Sequence, residues 1–228
     1  MEIWKKPKRP QSLRNQVIEQ VVYAIANGHL KPGERIVEAE LAQALDISRG
    51  PVREALSTLT QEGLVNNIPY RGTFVMDLNH KEIWEVCTLR ATLEEFAVRR
   101  VIEFFKEETM ERLWSHYDEL VETVRSCNAL NIAEMDMNFH EQLVRAAEHE
   151  YLYRAWSPLK YRVLVYSSFT IEKRYKNYDS LIQLHADLIR TIEEGDANIA
   201  ASEIKKHIHE SGEELLRHIK VVEENNPI

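Results

Sequence analysis

Cysteine is nearly absent from this chain: Cys87 and Cys127 are the only two in 228 residues, and no CxxC spacing occurs. A disulfide framework is thereby excluded, and free thiols in a reducing compartment are the simplest reading, with no redox role indicated. Glycine and proline are scarce, at seven each, and aromatic residues make up only 8%. With abundant Leu, Ala, Glu and Ile, that scarcity predicts a mostly helical protein. No run of 18 apolar residues exists, and the N-terminal MEIWKKPKRP is followed by no apolar core. Neither a membrane span nor a signal peptide is expected, so the chain reads as cytoplasmic, with no membrane partner.

An overall basic excess is missing as well, since the net charge is −8. That charge is unevenly shared. Residues 1–76 hold ten Lys and Arg against eight Asp and Glu, a net of +2, which leaves 19 basic and 29 acidic residues in 77–228, a net of −10. The length suits two modest domains, each with its own core. The asymmetry fits a DNA-binding head on an acidic body, with local contacts because the overall field is weak.

The stretch from Ile47 to Leu64, ISRGPVREALSTLTQEGL, organises the head. Val52, Leu56 and Leu59 recur at helical spacing while Arg49, Arg53 and Glu54 fall on another face, so one side can pack and the other can touch a partner. Ser48 suits a helix N-cap, Pro51 sits in the first turn, and Gly63 ends the helix. Upstream, EAELAQAL (38–45) is a second short amphipathic helix, and Asp46-Ile47 leaves a tight turn between the two, a helix-turn-helix. Downstream, 64–68 and 73–76 are β-prone runs around Pro69-Tyr70-Arg71-Gly72, which reads as a wing. A first helix over 12–28 places Leu13, Val17, Val21, Ala24 and Ile25 on one face, to form a core with Leu41, Leu45, Val52 and Leu56. Two arginines four apart near a helix N-terminus suit guanine edges and phosphates in a major groove; an ordinary solvated surface helix is the alternative. Residues 1–10 carry Lys5, Lys6, Lys8 and Arg9 between two prolines and read either as a minor-groove arm or as a solvated tail.

With PGERI, ELAQAL, ISRGPVREAL and QEGLV in order, residues 12–76 resemble the winged helix-turn-helix of the GntR family of bacterial transcription regulators. The resemblance implies that Arg49 and Arg53 read double-stranded operator DNA, that Ser48 lies near a phosphate, and that Arg71 and Gly72 at the wing tip enter the minor groove. Gly50, in the same DNA-facing stretch, stands where the family usually has Thr or Ser, so a hydroxyl contact is lost there.

The chain divides on this reading into a head over 1–76, a linker over 77–81 and a helical domain over 82–228. Beyond the wing the periodicity is helical throughout, with helices predicted near 79–105, 107–126, 129–147, 151–172, 179–194 and 196–222. Short connections make neighbours antiparallel, so the expected fold class is mainly α: the winged head plus an all-α antiparallel bundle of six helices.

One feature of that bundle calls for chemistry. In NIAEMDMNFHEQLVRAAEHE, Asp136 and His140 lie on the apolar stripe of Ile132, Met135, Phe139 and Leu143. A carboxylate in a bundle interior is costly unless it is paired, hydrogen-bonded or bound to metal, and residues four apart can converge on one ion. The last two helices turn around Glu194-Gly195-Asp196. His185 is ten residues before Gly195 and His207 twelve after it, which at about 1.5 Å per residue puts them within ~3 Å of the same height, able to face each other. One Asp and three His with open coordination positions suit zinc, nickel or a similar divalent ion; each His taken alone reads as a satisfied core residue.

TLRATLE, DMNFHEQL, LIQLHADLIRTIEEGD and KKHI extend the resemblance to the all-helical FCD ligand-binding domain of the FadR subfamily over residues 79–222. In metal-containing members the ligands occupy the positions of Asp136, His140, His185 and His207. The resemblance implies a metal-dependent pocket for a small organic acid, whose carboxylate completes the coordination shell. Arg90, beside the stripe Ile83, Val86, Leu89 and Leu93, is the expected second anchor for that acid, with a salt bridge to Glu94 as its alternative. Arg145 and Arg162 are further candidates, and Tyr161 and Tyr166 read as pocket lining or core.

Together these readings describe a homodimeric regulator that represses at a two-fold operator and responds to an organic acid. The rivals are a metal-dependent enzyme acting on small carboxylates, for which Glu141 points about 100° around the helix from His140 and makes a poor base, and an ion that is purely structural or is itself the signal.

Overall fold

The computed structural model describes residues 12–76, 79–126, 129–174 and 178–225. Residues 1–10 and Cys127, on which an arm and a free thiol were expected, lie outside them. The chain forms two compact units, residues 1–78 and 79–228.

In the first unit, α1 (Leu13–Ala26) starts at Ser12, whose hydroxyl accepts from the Asn15 N–H, and stops at Asn27 before Gly28 with φ +70. Val17, Val21, Ala24 and Ile25 are buried as their spacing predicts, whereas Leu13 is exposed and Leu45 only half buried. Helix α2 (Glu38–Ala44) and helix α3 (Arg49–Gln61) are separated by a turn in which Asp46 takes φ +54 and Ile47 N–H donates to the Ala42 carbonyl. That left-handed residue reverses the chain within three positions, the geometry a helix-turn-helix needs. Gly63, at φ +67, ends α3 with the Leu64 N–H on the Leu59 carbonyl.

A three-stranded antiparallel sheet follows, in the order β1 (Arg35–Ile36), β3 (Gly72–Val75), β2 (Val65–Ile68). β2 and β3 are the expected wing, in a register that pairs Val65 with Val75 and Ile68 with Gly72. β1 lies between the first two helices, where the sequence carries no strand pattern. It is two residues long, and such a strand exists only through its pairing with β3.

Among its described residues the second unit has helices and no strands. Its elements are α4 (His80–Glu103), α5 (Glu107–Ser126), α6 (Ala129–Ala146), α7 (Glu150–Trp156), a 3-10 turn (Ser157–Leu159), α8 (Lys160–Arg174), α9 (Asp179–Glu194) and α10 (Ala197–Asn225). Of the expected linker, 77–78 are outside the described residues. Asn79 caps α4 by accepting from the Glu82 N–H, so His80 and Lys81 belong to its first turn. The single helix expected over 151–172 is two helices, giving seven α-helices among the described residues in place of six. Pro158 has no N–H to donate back and its ring crowds the preceding turn, so the helix breaks there. α4 packs most extensively along α10, α5 along α6, and α6 along α8. Gly195 at φ +80 closes α9, and Asp196 Oδ1 accepts from the N–H groups of Asn198 and Ile199 to start α10. These two caps set the register of α9 against α10, and with it the heights of His185 and His207.

Candidate functional site

Asp136 and His140 project one turn apart from α6, His185 from α9 and His207 from α10, and all four are buried. One ligand atom from each lies within 4.8 Å of the other three. His185 Nε2 is 3.1 Å from Asp136 Oδ1, His140 Nε2 is 3.2 Å from His207 Nε2, and His140 Nε2 is 3.9 Å from Asp136 Oδ1. Atoms bound at about 2.1 Å to a common ion stand roughly 3 to 4 Å apart, so these separations match a shared centre. Phe139 presents its ring edge to His185 at 4.6 Å between centroids and closes one side.

The tautomers follow from the outer contacts. His185 Nδ1–H donates to the Leu181 carbonyl at 2.8 Å, one turn back on α9, which turns the Nε2 lone pair inward. His140 Nδ1–H donates to Glu94 Oε2 at 2.6 Å, with the same consequence for its Nε2. Asp136 Oδ1 and His185 Nε2 are both buried and, despite their proximity, lack hydrogen-bond geometry. Two inward acceptors without a donor between them are costly as they stand and favourable around a cation.

Electrostatics point the same way. Burial pulls the His140 imidazolium down and, with Arg90 nearby, outweighs the charge of Glu94, so the ring favours the neutral form that ligates metal. Burial pushes Asp136 up, but positive charge shared among the His185, His140 and His207 rings, His185 nearest, prevails and holds it ionised, well below the usual carboxylate range; a bound cation would supply that charge with the rings neutral. Glu94 is fully buried, which opposes its charge. Arg90, His140 and the Trp156 N–H nonetheless bring it from 4.5 down to about 2.

Glu94 is the functional residue that sequence reasoning missed. It accepts from Arg90 Nε at 2.6 Å, from Trp156 Nε1 at 2.8 Å and from His140, joining α4, α6 and α7 behind the cluster. The salt bridge weighed as an alternative for Arg90 is thus present, and Arg90 is 3% exposed. Its Nη2 is buried without a hydrogen-bond partner, so the pair leaves one guanidinium edge over. Arg145 is elsewhere engaged: it pairs with Glu141 at 2.7 Å and meets the Tyr153 hydroxyl. Arg162 pairs with Glu82 at 2.9 Å. Glu141 is held by Arg145, Lys160 and Tyr153, which leaves it no freedom to act as a base toward the cluster. Tyr166 is buried in the core of the bundle.

In the head, Ser48 occupies the N-cap position of α3 without a side-chain capping bond. Arg49, Gly50 and Arg53 are aligned along the first turns of α3, and Arg49 and Gly50 are exposed. A Cβ on Gly50 would meet nothing within 4 Å, so the missing hydroxyl there is not a packing requirement. Arg53 Nε bonds Glu38 of α2 at 2.7 Å in an exposed pair, a weak tie that DNA can displace. Arg71 lies over the Phe74 ring at 5.7 Å, and Gly72 adopts φ +107 with Arg35 Nε 3.1 Å from where a Cβ would stand.

Residues 13–75 match the family of bacterial regulatory proteins called gntR, and residues 85–210 match the FCD domain. Similar proteins include the Nta operon transcriptional regulator of Aminobacter aminovorans, 30% identical over 181 residues that cover 78% of this chain and 85% of the relative. The gluconate operon transcriptional repressor of Bacillus licheniformis is 25% identical over 195 residues, 84% of this chain and 78% of that one. Among solved structures, E. coli McbR/YncC shares the fold with a TM-score of 0.76 at 20% identity, over 92% of this chain and 99% of that one.

Proposed function

This chain belongs to the GntR family of bacterial transcription regulators and carries an FCD domain, so it is a DNA-binding regulator, and from that premise we propose that it represses its target genes under the control of a small organic acid bound at a divalent metal centre. The observation that carries the proposal is the buried set Asp136, His140, His185 and His207, whose ligand atoms share one centre and whose His140 and His185 tautomers face it. Zinc or nickel suits three imidazoles and a carboxylate. When bound, such an ion supplies a Lewis-acidic seat for a carboxylate oxygen.

The charge balance supports an acid. With neutral imidazoles, Arg90, Glu94 and Asp136 leave the buried set at one net negative charge, so a divalent ion and one carboxylate together bring it to neutrality. Arg90 holds the spare guanidinium edge for the acid's second oxygen. Arg145 and Arg162, already paired with Glu141 and Glu82, are the weaker anchors. Repression of an operon concerned with such acids accords with the gluconate operon repressor among the relatives.

At the DNA, Ser48, Arg49 and Arg53 at the start of α3 face the major groove, Gly50 allows close backbone approach, and Arg71 and Gly72 enter the minor groove. Two chains bind the two halves of a symmetric operator as a homodimer. The acid acts by binding one dimer conformation more tightly than the other.

The test is equilibrium titration of the full chain onto a duplex that it selects from a random-sequence pool, with and without a panel of small carboxylic acids, for the wild type and His185→Ala. The expected result is an acid that shifts DNA affinity severalfold in the metal-loaded wild type and has no effect in the variant. An equal shift in both would detach acid sensing from this centre.

A further inference from the structure

The wing carries a side chain that none of the contacts above employs. β2 and β3 are joined by a turn closed by the Arg71 N–H on the Ile68 carbonyl at 3.0 Å. Pro69 presets the first corner of this turn. Tyr70, at the second, has φ +63, a left-handed conformation natural to glycine or asparagine and unfavourable for a bulky aromatic residue. Nothing inside the protein offsets that strain: Tyr70 has 109% relative exposure and makes no hydrogen bond or ring contact among the described residues. Its neighbour Arg71, by contrast, rests against Phe74. A strained residue with no partner among the described residues points to a partner outside the chain.

We propose that Tyr70 is a DNA-contacting residue: its ring enters the minor groove beside Arg71, and its hydroxyl donates to the acceptor atoms on A·T pairs. The minor-groove edge of A·T offers adenine N3 and thymine O2 as acceptors and no donor, whereas G·C adds the guanine amino group in the path of the ring. A phenol at the wing tip therefore reads A·T over G·C, a preference that Arg71 alone reads through groove width and potential. The proposal rests on the wing entering the minor groove.

The experiment uses the full chain and the duplex that the wild type selects from a random-sequence pool, titrated at fixed salt. Tyr70→Asn relieves the left-handed strain and retains the turn. It is expected to melt a few degrees higher than the wild type yet bind about tenfold more weakly, the order of one lost base contact. Tyr70→Phe, which keeps the ring and the strain but removes the hydroxyl donor, is expected to bind A·T more weakly and so to narrow, without abolishing, the preference for A·T over G·C at the wing position. A residue with a merely structural role would move stability and affinity together. If Tyr70→Asn binds as tightly as the wild type with the same base preference, the proposal is overturned. Loss of binding in Arg71→Ala alongside that result confines the failure to Tyr70, and undiminished binding in Arg71→Ala as well removes the wing from the groove altogether.

Discussion

His140 owes its orientation to a residue 46 positions away. Glu94 accepts a hydrogen bond from its Nδ1–H, and Arg90 and Trp156 hold Glu94 in turn, so three side chains outside the cluster decide which nitrogen faces it. Partners of this kind typically contribute 10- to 100-fold in metal affinity. Glu94→Gln is accordingly expected to weaken metal binding by about that factor in competition with a chromogenic chelator, and unchanged affinity would show that His140 needs no orienting. The same carboxylate gives the metal-free protein a pH signature. Its folded pKa, about 2, lies below its ordinary 4.5, so on acidification the unfolded chain takes up the proton first. Stability that is complete above about pH 4.5 is then lost as pH falls toward 2, which urea melts of the apo protein would record; a flat profile across that window contradicts the burial of an ionised Glu94. Asp136 and His140 were legible in the sequence because polar residues on an apolar stripe stand out, and His185 and His207 because they stand at nearly equal distances from the turn at Gly195. Glu94 was not, since helix periodicity connects it only to Arg90, and its bonds to His140 and Trp156 depend on how α4, α6 and α7 pack.

Among the elements, those with strong local punctuation matched their sequence reading. Asp46, Gly63 and Gly195 end or reverse helices where the sequence placed turns, because each adopts a left-handed conformation that its residue type tolerates. The break between α7 and α8 was passed over although Pro158 marks it, because the apolar residues Leu152, Trp156, Val163 and Leu164 continue on both sides. β1 has no local signal at all. The contact between α4 and α10 was equally hidden: a Cβ at Gly212 would stand 2.8 Å from Cys87 Sγ, so glycine there lets the two helices approach. Gly212→Ala is expected to lower stability by about 1–3 kcal/mol in urea titration, the usual cost of overpacking, and Cys87→Ala in the same chain to recover most of it. If the single variant is neutral, the helices are not in close contact at that point. On α3, Arg53→Ala is expected to weaken binding to the selected duplex about tenfold or more while melting is unchanged, because its only described tie is an exposed pair with Glu38.

For the whole molecule, a basic head and an acidic body are joined in one chain, and regulation requires that events in one alter the other. Coupling of the kind proposed is reciprocal: whatever factor an acid imposes on DNA affinity, DNA imposes on acid affinity. On the proposed function that coupling begins at the cluster of Asp136, His140, His185 and His207, the one place among the described residues where four ligand-type side chains from three helices share a point. Native mass spectrometry of the purified full chain, repeated after chelation and after reloading with zinc or nickel, tests it most directly. The expected spectrum is a dimer carrying one divalent ion per chain, emptied by chelator, refilled by the free ion, and absent from His185→Ala. A wild-type protein that is metal-free and stays so through reloading would contradict the account and make Asp136 and its three histidines a polar core.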